Sequence, residues 1–365
     1  MNMVTLFQKY LLPGLVFQSV VIGGGYATGR ELVEFFMSIG PGAGLLGMVV
    51  ATVIWSLVLM ASFALVQITR SFDYRSFFKV LLGRGWVLYE ISYFLLLILV
   101  LSIISAASGT IIGEALGIDN LYGSGLLMVC IGLLVFYGSK TIETVLSLWS
   151  FVLYGVFITL LVVTFSNFNP QISGVLNSMN SDGPWFNAGL TYASYNVAAV
   201  PAVFFCLIHL KDKKQALIAG AVAGPVAMLP GFFLFFAMLA FYPEITEQSV
   251  PLNYLLSQLN FPLLQIVFQV VIFGTFIETG AAFLHAINER VSEVYEEKER
   301  SMPRYLRPLL AISFLLLAVV TGSVFGISAL IAQGYGILTY SFILILVIPV
   351  MTIGVWKIFF SKAQA

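Results

Sequence analysis

The chain is 365 residues long, 60% hydrophobic and only 9% charged, whereas soluble domains carry about a quarter charged residues. That composition excludes a water-soluble globular protein, and the formal net charge of zero hides a strong asymmetry in where the charges sit. The chain reads instead as an all-α integral membrane protein with the lipid bilayer as its partner.

A helix needs about 20 apolar residues to cross a hydrocarbon core of about 30 Å. Helices are expected because backbone groups in lipid must be satisfied within the segment, and no alternating barrel pattern appears. In chain order, the first span (8–38) lacks a basic leader and a small-x-small cleavage site, so it is read as uncleaved. It carries the stretch VIGGGYATGRE (21–31), where four glycines, an arginine and a glutamate interrupt hydrocarbon. The second span (43–69) is followed by SFDYRSFFKVLLGRG (71–85), whose apolar face at helical spacing predicts an interfacial helix. The third (86–116) is bracketed by Glu90 and Glu114, close enough to its ends to snorkel. The fourth (122–139) and fifth (142–165) lead to a sixth (187–209) containing YASYNVAAVP (192–201). After the seventh (214–242) comes a proline-bounded amphipathic loop (242–262), predicted to be helical and extracellular. The eighth (262–291) runs on into a charged helical extension, and the ninth (306–323) and tenth (334–360) complete the set. Cys130 and Cys206 both lie inside apolar runs, which argues for packing rather than a disulfide or CxxC metal site.

Basic residues test this count. Arg70, Arg75, Lys79 and Arg84 follow span two, Lys140 follows span four, and Lys211, Lys213 and Lys214 follow span six. Arg290, Lys298, Arg300, Arg304 and Arg307 follow span eight, with Lys9 near the N-terminus and Lys357 and Lys362 near the other end. The opposite loops carry only Asp119, Asp182, Glu244 and Glu247. Of 17 basic residues, every one except Arg30 falls on one side, which the positive-inside rule makes cytoplasmic, termini included, in a plasma-membrane protein.

Ten spans divide into two fives, and an odd-numbered repeat inserts its second copy upside down. The expected halves are 1–165 and 166–365, with discontinuous helices 1 and 6 at matching positions near a central binding site. Four glycines within seven residues weaken a helix by about 1 kcal/mol each against alanine. In span six, Asn196 and Pro201 open the helix, since proline removes a backbone bond. Freed N–H groups at the second half-helix suit a carboxylate, and freed carbonyls suit a cation. The candidate substrate-binding residues are therefore Gly23, Gly24, Gly25, Tyr26, Ala27, Thr28 and Gly29, with Tyr192, Tyr195 and Asn196 across from them. Glu31 and Glu34 stand one turn apart, where carboxylates offset the helix dipole or face an aqueous vestibule. GGYATGRE nearly matches a phosphate loop, but Arg30 and Glu31 replace its lysine and hydroxyl and no strand precedes it.

An ionisable group inside the bilayer costs several kcal/mol, so it defaults to a functional hypothesis with a named partner. Glu278, in FGTFIETGAAFLHAINER, lies near the middle of span eight, and Thr275, Ala282 and His285 share its helical stripe. Such a carboxyl acts as a proton carrier or, if paired, as a cation ligand. Arg30, the exception to the charge rule, needs a buried partner, and Glu278 is the candidate. His285 is read as packing or capping.

Ten spans as five plus five with a glycine-rich break in the first resemble the LeuT-like fold of the amino acid–polyamine–organocation (APC) transporters. GGGYATGRE with FGTFIETG is similar, more closely, to the YkvI-type bacterial membrane proteins, grouped with amino acid permeases. The resemblance implies a substrate carboxylate at the Gly24–Gly29 backbone and near Asn196. It also implies a Na⁺ site built from span-one carbonyls and span-eight hydroxyls, here Ile22, Gly25, Thr275, Glu278 and Thr279. A carboxylate in place of one hydroxyl departs from that pattern and favours H⁺ through Glu278. No lysine stands in span five (141–161) to replace the sodium ion, so the coupling ion stays open between H⁺ and Na⁺.

These readings point to a secondary active transporter of a small carboxylate-bearing solute, an amino acid first, coupled to an ion and needing no other cofactor. The alternative is a membrane sensor that binds a solute on the same fold without moving it. No HExxH, GxSxG or clustered Asp/His motif suggests an enzyme. Substrate identity, transport direction and oligomeric state are not encoded in these patterns.

Overall fold

The computed structural model describes residues 6–360 except 138, 297 and 304, and for residues 24, 25, 136–151, 286, 289 and 293 it describes the backbone alone. The side chain of Lys140, and Arg304 and Lys362 altogether, lie outside the described residues. Among those residues the secondary structure is helical throughout. A π-helical turn (Phe7–Leu11) leads into α1 (Leu12–Val21), followed by the short α2 (Gly24–Ala27) and α3 (Arg30–Phe35). Then come α4 (Pro41–Thr69), the interfacial α5 (Tyr74–Leu82), α6 (Trp86–Leu116), α7 (Asn120–Tyr137) and α8 (Ser139–Asn177). The second half holds α9 (Trp185–Asn196), a 3₁₀ stretch (Val197–His209), α10 (Lys213–Met238), α11 (Pro251–Gln258) and α12 (Pro262–Glu296). α13 (Leu306–Ala329) continues through a π turn into α14 (Gly336–Phe342), and α15 (Val355–Phe360) closes the order.

This is a multi-pass membrane protein. Large apolar side chains such as Leu95, Val129, Ile312 and Leu344 stand exposed around the bundle, as lipid-facing positions require. Among the described residues, seven helical stretches are long and apolar enough to cross a bilayer, where the sequence predicts ten. The difference has local causes. Residues 8–38 divide into short pieces around the glycines. Leu306–Phe360 runs as one helical path, kinked at Gly326, whose φ of 70° and ψ of 167° no helix accepts. α8 also extends beyond the expected 165: it kinks at Phe168 (φ −125°, ψ 23°) and starts afresh, with Pro170 in a first turn where a missing N–H costs nothing.

α4 is the spine of one side, packed by α9 and α10. Trp55 sits at its centre, fully buried, edge-on to Phe17 at 5.4 Å, and donates its indole N–H to the Ala193 carbonyl at 3.2 Å. Close approach of α10 to α4 depends on Gly220, where a Cβ would strike the Met60 backbone. α6 forms the other side with α7 and α13, and α12 leans on α7 and α8.

Loops predicted to share a side do meet. At one end Arg290 lies over the Tyr74 ring at 4.3 Å, Lys357 donates to the Val80 carbonyl at 3.0 Å, and Lys213 donates to the Ile358 carbonyl at 3.0 Å. At the other end Asn253 donates to Glu114 at 2.6 Å, and Gly42 abuts the Asn180 carbonyl. Glu90 likewise accepts from the Tyr74 hydroxyl at 2.9 Å, the structural role expected of it.

Candidate functional site

The glycine-rich stretch leaves helical geometry twice. The α1 ladder stops at Ile22 (φ −73°, ψ 73°), where the Gly23 N–H turns back to the Val21 carbonyl at 2.7 Å. Gly24 and Gly25 then begin the single turn of α2, and Gly29, at φ 79°, sets off α3 in a new direction. Only glycine holds that left-handed conformation without a steric penalty. The redirected first turn of α3 carries Arg30 and Glu31 to opposite fates.

Glu31 turns inward. It is 2% exposed and accepts a hydrogen bond from the Tyr195 hydroxyl at 2.7 Å, and the Tyr335 hydroxyl interacts with the same carboxylate. The rings of Tyr195 and Tyr335 stack at 4.1 Å and 7°. These groups border a cavity of about 30 Å³, room for one or two water-sized groups. Gly23 and Val21 close it on the first stretch, Tyr93 and Val100 on α6, Asn196 at the end of α9, and Phe283 on α12. Among the described residues no lysine, arginine or histidine lines it.

Arg30 turns outward. It pairs with Glu34 at 2.8 Å and donates to the carbonyls of Thr246 and Gln248, each at 3.0 Å. This corrects the expected Arg30–Glu278 pair. The loop after α10 supplies two carbonyls and Glu34 a carboxylate one turn away, so both terminal nitrogens of the guanidinium are bonded there rather than to Glu278. The same loop binds the stretch again, through the Leu252 N–H to the Thr28 carbonyl at 3.1 Å.

The other candidates divide. Gly23, Tyr195 and Asn196 line the cavity, and Asn196 spends its side-chain N–H on the Tyr192 carbonyl at 3.0 Å. The helix changes from α to 3₁₀ after Asn196, with Pro201 inside the 3₁₀ stretch, instead of opening there. Tyr192 packs among Phe35, Phe36 and Trp55, and its hydroxyl is buried without a hydrogen-bond partner. Tyr26 points towards Gly231 on α10, also with an unpartnered hydroxyl. Ala27 and Thr28 border a second, smaller cavity beside Asn253 and Gln269. On α12, Thr279 packs its methyl beside Gly23, so this helix does meet the break. Thr275 donates to the Val271 carbonyl of its own helix at 2.9 Å. Glu278 is half-buried, lies outside the cavity lining, and has no hydrogen-bond or ionic partner among the described residues.

Across the basic end, Arg290 stacks on Tyr93 at 4.2 Å as well as on Tyr74, and the Tyr89 hydroxyl donates to the Ala198 carbonyl at 3.0 Å. α5, α6, α12 and the 3₁₀ stretch are thus tied together below the cavity, as the Arg30 contacts tie the opposite end. Tyr93, Phe283 and Tyr335 carried no sequence signal, being single aromatics among 32 phenylalanines and 16 tyrosines. Glu31 did carry one, a carboxylate beside a helix break.

No family model matches the chain. It is 21% identical over 300 residues to the Bacillus subtilis (strain 168) membrane protein YkvI, covering 78% of this chain and 82% of that protein. Among solved structures it resembles MhsT in complex with L-phenylalanine, at a TM-score of 0.60 and 15% identity over 95% of this chain and 96% of that one. A Na⁺-coupled sialic acid symporter aligns at a TM-score of 0.53 and 16% identity, covering 93% and 87%. The Eremococcus coleocola manganese transporter aligns at 0.63 and 12%, covering 96% and 80%. The fold is LeuT-like, that of these transporters.

Proposed function

We propose that the chain is a secondary active transporter of a small organic solute, an amino acid first, working by alternating access in the plasma membrane with both termini cytoplasmic. Ten spans in two inverted halves, 1–165 and 166–365, with helix 1 discontinuous and helix 6 changing to 3₁₀ at the matching position, would place the cavity between the repeats. The observation that carries this reading is the junction of Gly23, Glu31, Tyr93, Tyr195, Phe283 and Tyr335 at one small cavity with side-chain contacts across both ends of the bundle. A cavity so bounded must open to one side at a time for a solute to pass. Na⁺ or H⁺ would drive it, with Thr279 on α12 beside the break in the first stretch and Glu278, its neighbour in sequence, as the candidate coupling carboxylate.

Reconstitution tests it. Proteoliposomes should accumulate a labelled amino acid against its gradient when a Na⁺ or H⁺ gradient is imposed, and lose the accumulation when the gradient is collapsed. Saturable binding with no accumulation under either gradient would refute transport and leave the sensor.

A further inference from the structure

Among the described residues the cavity is lined by one carboxylic acid and no base, with four aromatic rings among aliphatic walls. Glu31 is 2% exposed, and the nearest basic residue in sequence, Arg30, is committed to Glu34 and two backbone carbonyls at the end of the bundle. Arg290, stacked over Tyr93, is not among the lining residues. An ionised carboxylate buried without a counter-charge costs several kcal/mol. Hydroxyls of Tyr195 and Tyr335 satisfy part of it, but a carboxylate offers about four acceptor positions, so capacity remains on the cavity side. An anion would meet repulsion here. A solute carboxylate finds few backbone donors in the break: the N–H groups of Gly23, Ala27 and Gly29 are bonded within their own stretch at 2.7–2.9 Å.

We propose that the cavity recognises an ammonium-bearing solute, with Glu31 as the counter-charge and the surrounding tyrosines as the walls of the amine subsite. The proposal rests on the transporter reading for its site and goes further by naming the recognised end of the solute, the amine in place of the carboxylate expected from sequence. A volume of about 30 Å³ matches an ammonium head; the rest of a solute occupies space made when the walls part.

The test is thermal unfolding of the purified full-length protein in a Tris-free phosphate buffer. The panel is the common amino acids, their decarboxylated amines and their des-amino acids. Stabilisation confined to amine-bearing members, shared by some amino acids and their decarboxylated amines, is the expected result. Affinity for those amines should fall by about ten- to a hundredfold in Glu31→Gln, the loss of one charge-assisted bond, and stay unchanged in Glu244→Gln, an exposed acid away from the cavity. A des-amino acid that stabilises as well as its parent overturns the proposal, as does a panel with no amine hit or an undiminished amine affinity in Glu31→Gln. If Glu31→Gln does not fold, Glu31→Asp and the wild-type panel carry the decision. Uptake separates the two readings: amines that bind without accumulating refute transport alone, and accumulation of a solute lacking an amine refutes the amine subsite alone.

Discussion

Gly29→Ala is the substitution that most directly probes how the glycine-rich stretch is built. An L-residue at a φ of 79° pays roughly 1–2 kcal/mol for the left-handed backbone. Its Cβ would also sit 3.0 Å from Leu252 Cγ, 3.1 Å from Met238 Sδ and 3.4 Å from Pro251 Cβ, an overpacking that costs roughly 1–3 kcal/mol. Part of that strain relaxes, because the Met238 side chain is flexible, so the expected loss is about 2–4 kcal/mol. Gly23→Ala is the internal control. Its Cβ meets only Thr279 Cγ2 at 3.7 Å and Val100 Cγ1 at 3.9 Å, ordinary contacts, and its φ lies outside the left-handed region. Reduced freedom in the unfolded chain offsets any crowding, and its effect stays within about 1 kcal/mol of zero. Reversible unfolding in mixed micelles of mild detergent and dodecyl sulfate reads both differences. Equal losses for the two variants, or a loss below about 0.5 kcal/mol for Gly29→Ala, would refute the claim that a single left-handed residue aims α3 and with it Glu31.

Three further outcomes are expected. Arg30→Ala removes two bonds to carbonyls and an ion pair, worth about 2–3 kcal/mol together at a partly exposed position; a cysteine introduced at the buried Thr28, with Cys130 and Cys206 replaced, should react faster with a polar thiol reagent in that variant, and an unchanged rate contradicts the latch. Arg290→Met strips the guanidinium from the Tyr74 and Tyr93 rings at a cost of about 1–2 kcal/mol, read as faster hydrogen exchange across α5, whereas exchange confined to α12 would place the effect elsewhere. Glu278→Gln should keep solute binding and lose accumulation driven by the imposed ion gradient; full concentrative uptake in that variant removes Glu278 from coupling.

What could be read in the sequence was whatever depends on neighbours along the chain. Amphipathic spacing marked α5 between Tyr74 and Leu82, and the N-cap at Asp73 accepting from the Ser76 N–H at 2.8 Å fixes its start. Glycine clustering marked the departure from helix near Gly23, because loss of helical propensity is a local quantity. The partner of Arg30 was not local in that sense. Two of its acceptors are backbone carbonyls more than 200 positions away, at Thr246 and Gln248, and carbonyls carry no residue identity for a sequence to display. The search for a partner therefore fell on the nearest buried acid by type, Glu278, while the acid by position, Glu34, stood four residues on. The same physics explains Glu31. Its carboxylate beside a break looked like dipole compensation, which needs only a helix end. Its inward direction is set by the backbone at Gly29 and by hydroxyls from α9 and the turn before α14, and none of these is visible until the helices are assembled. The reversal of roles between the two carboxylates of one turn, Glu34 holding Arg30 outside and Glu31 facing the cavity alone, is what leaves the site negative. A chain that neutralised Glu31 with its adjacent arginine would have no need of a cation from outside.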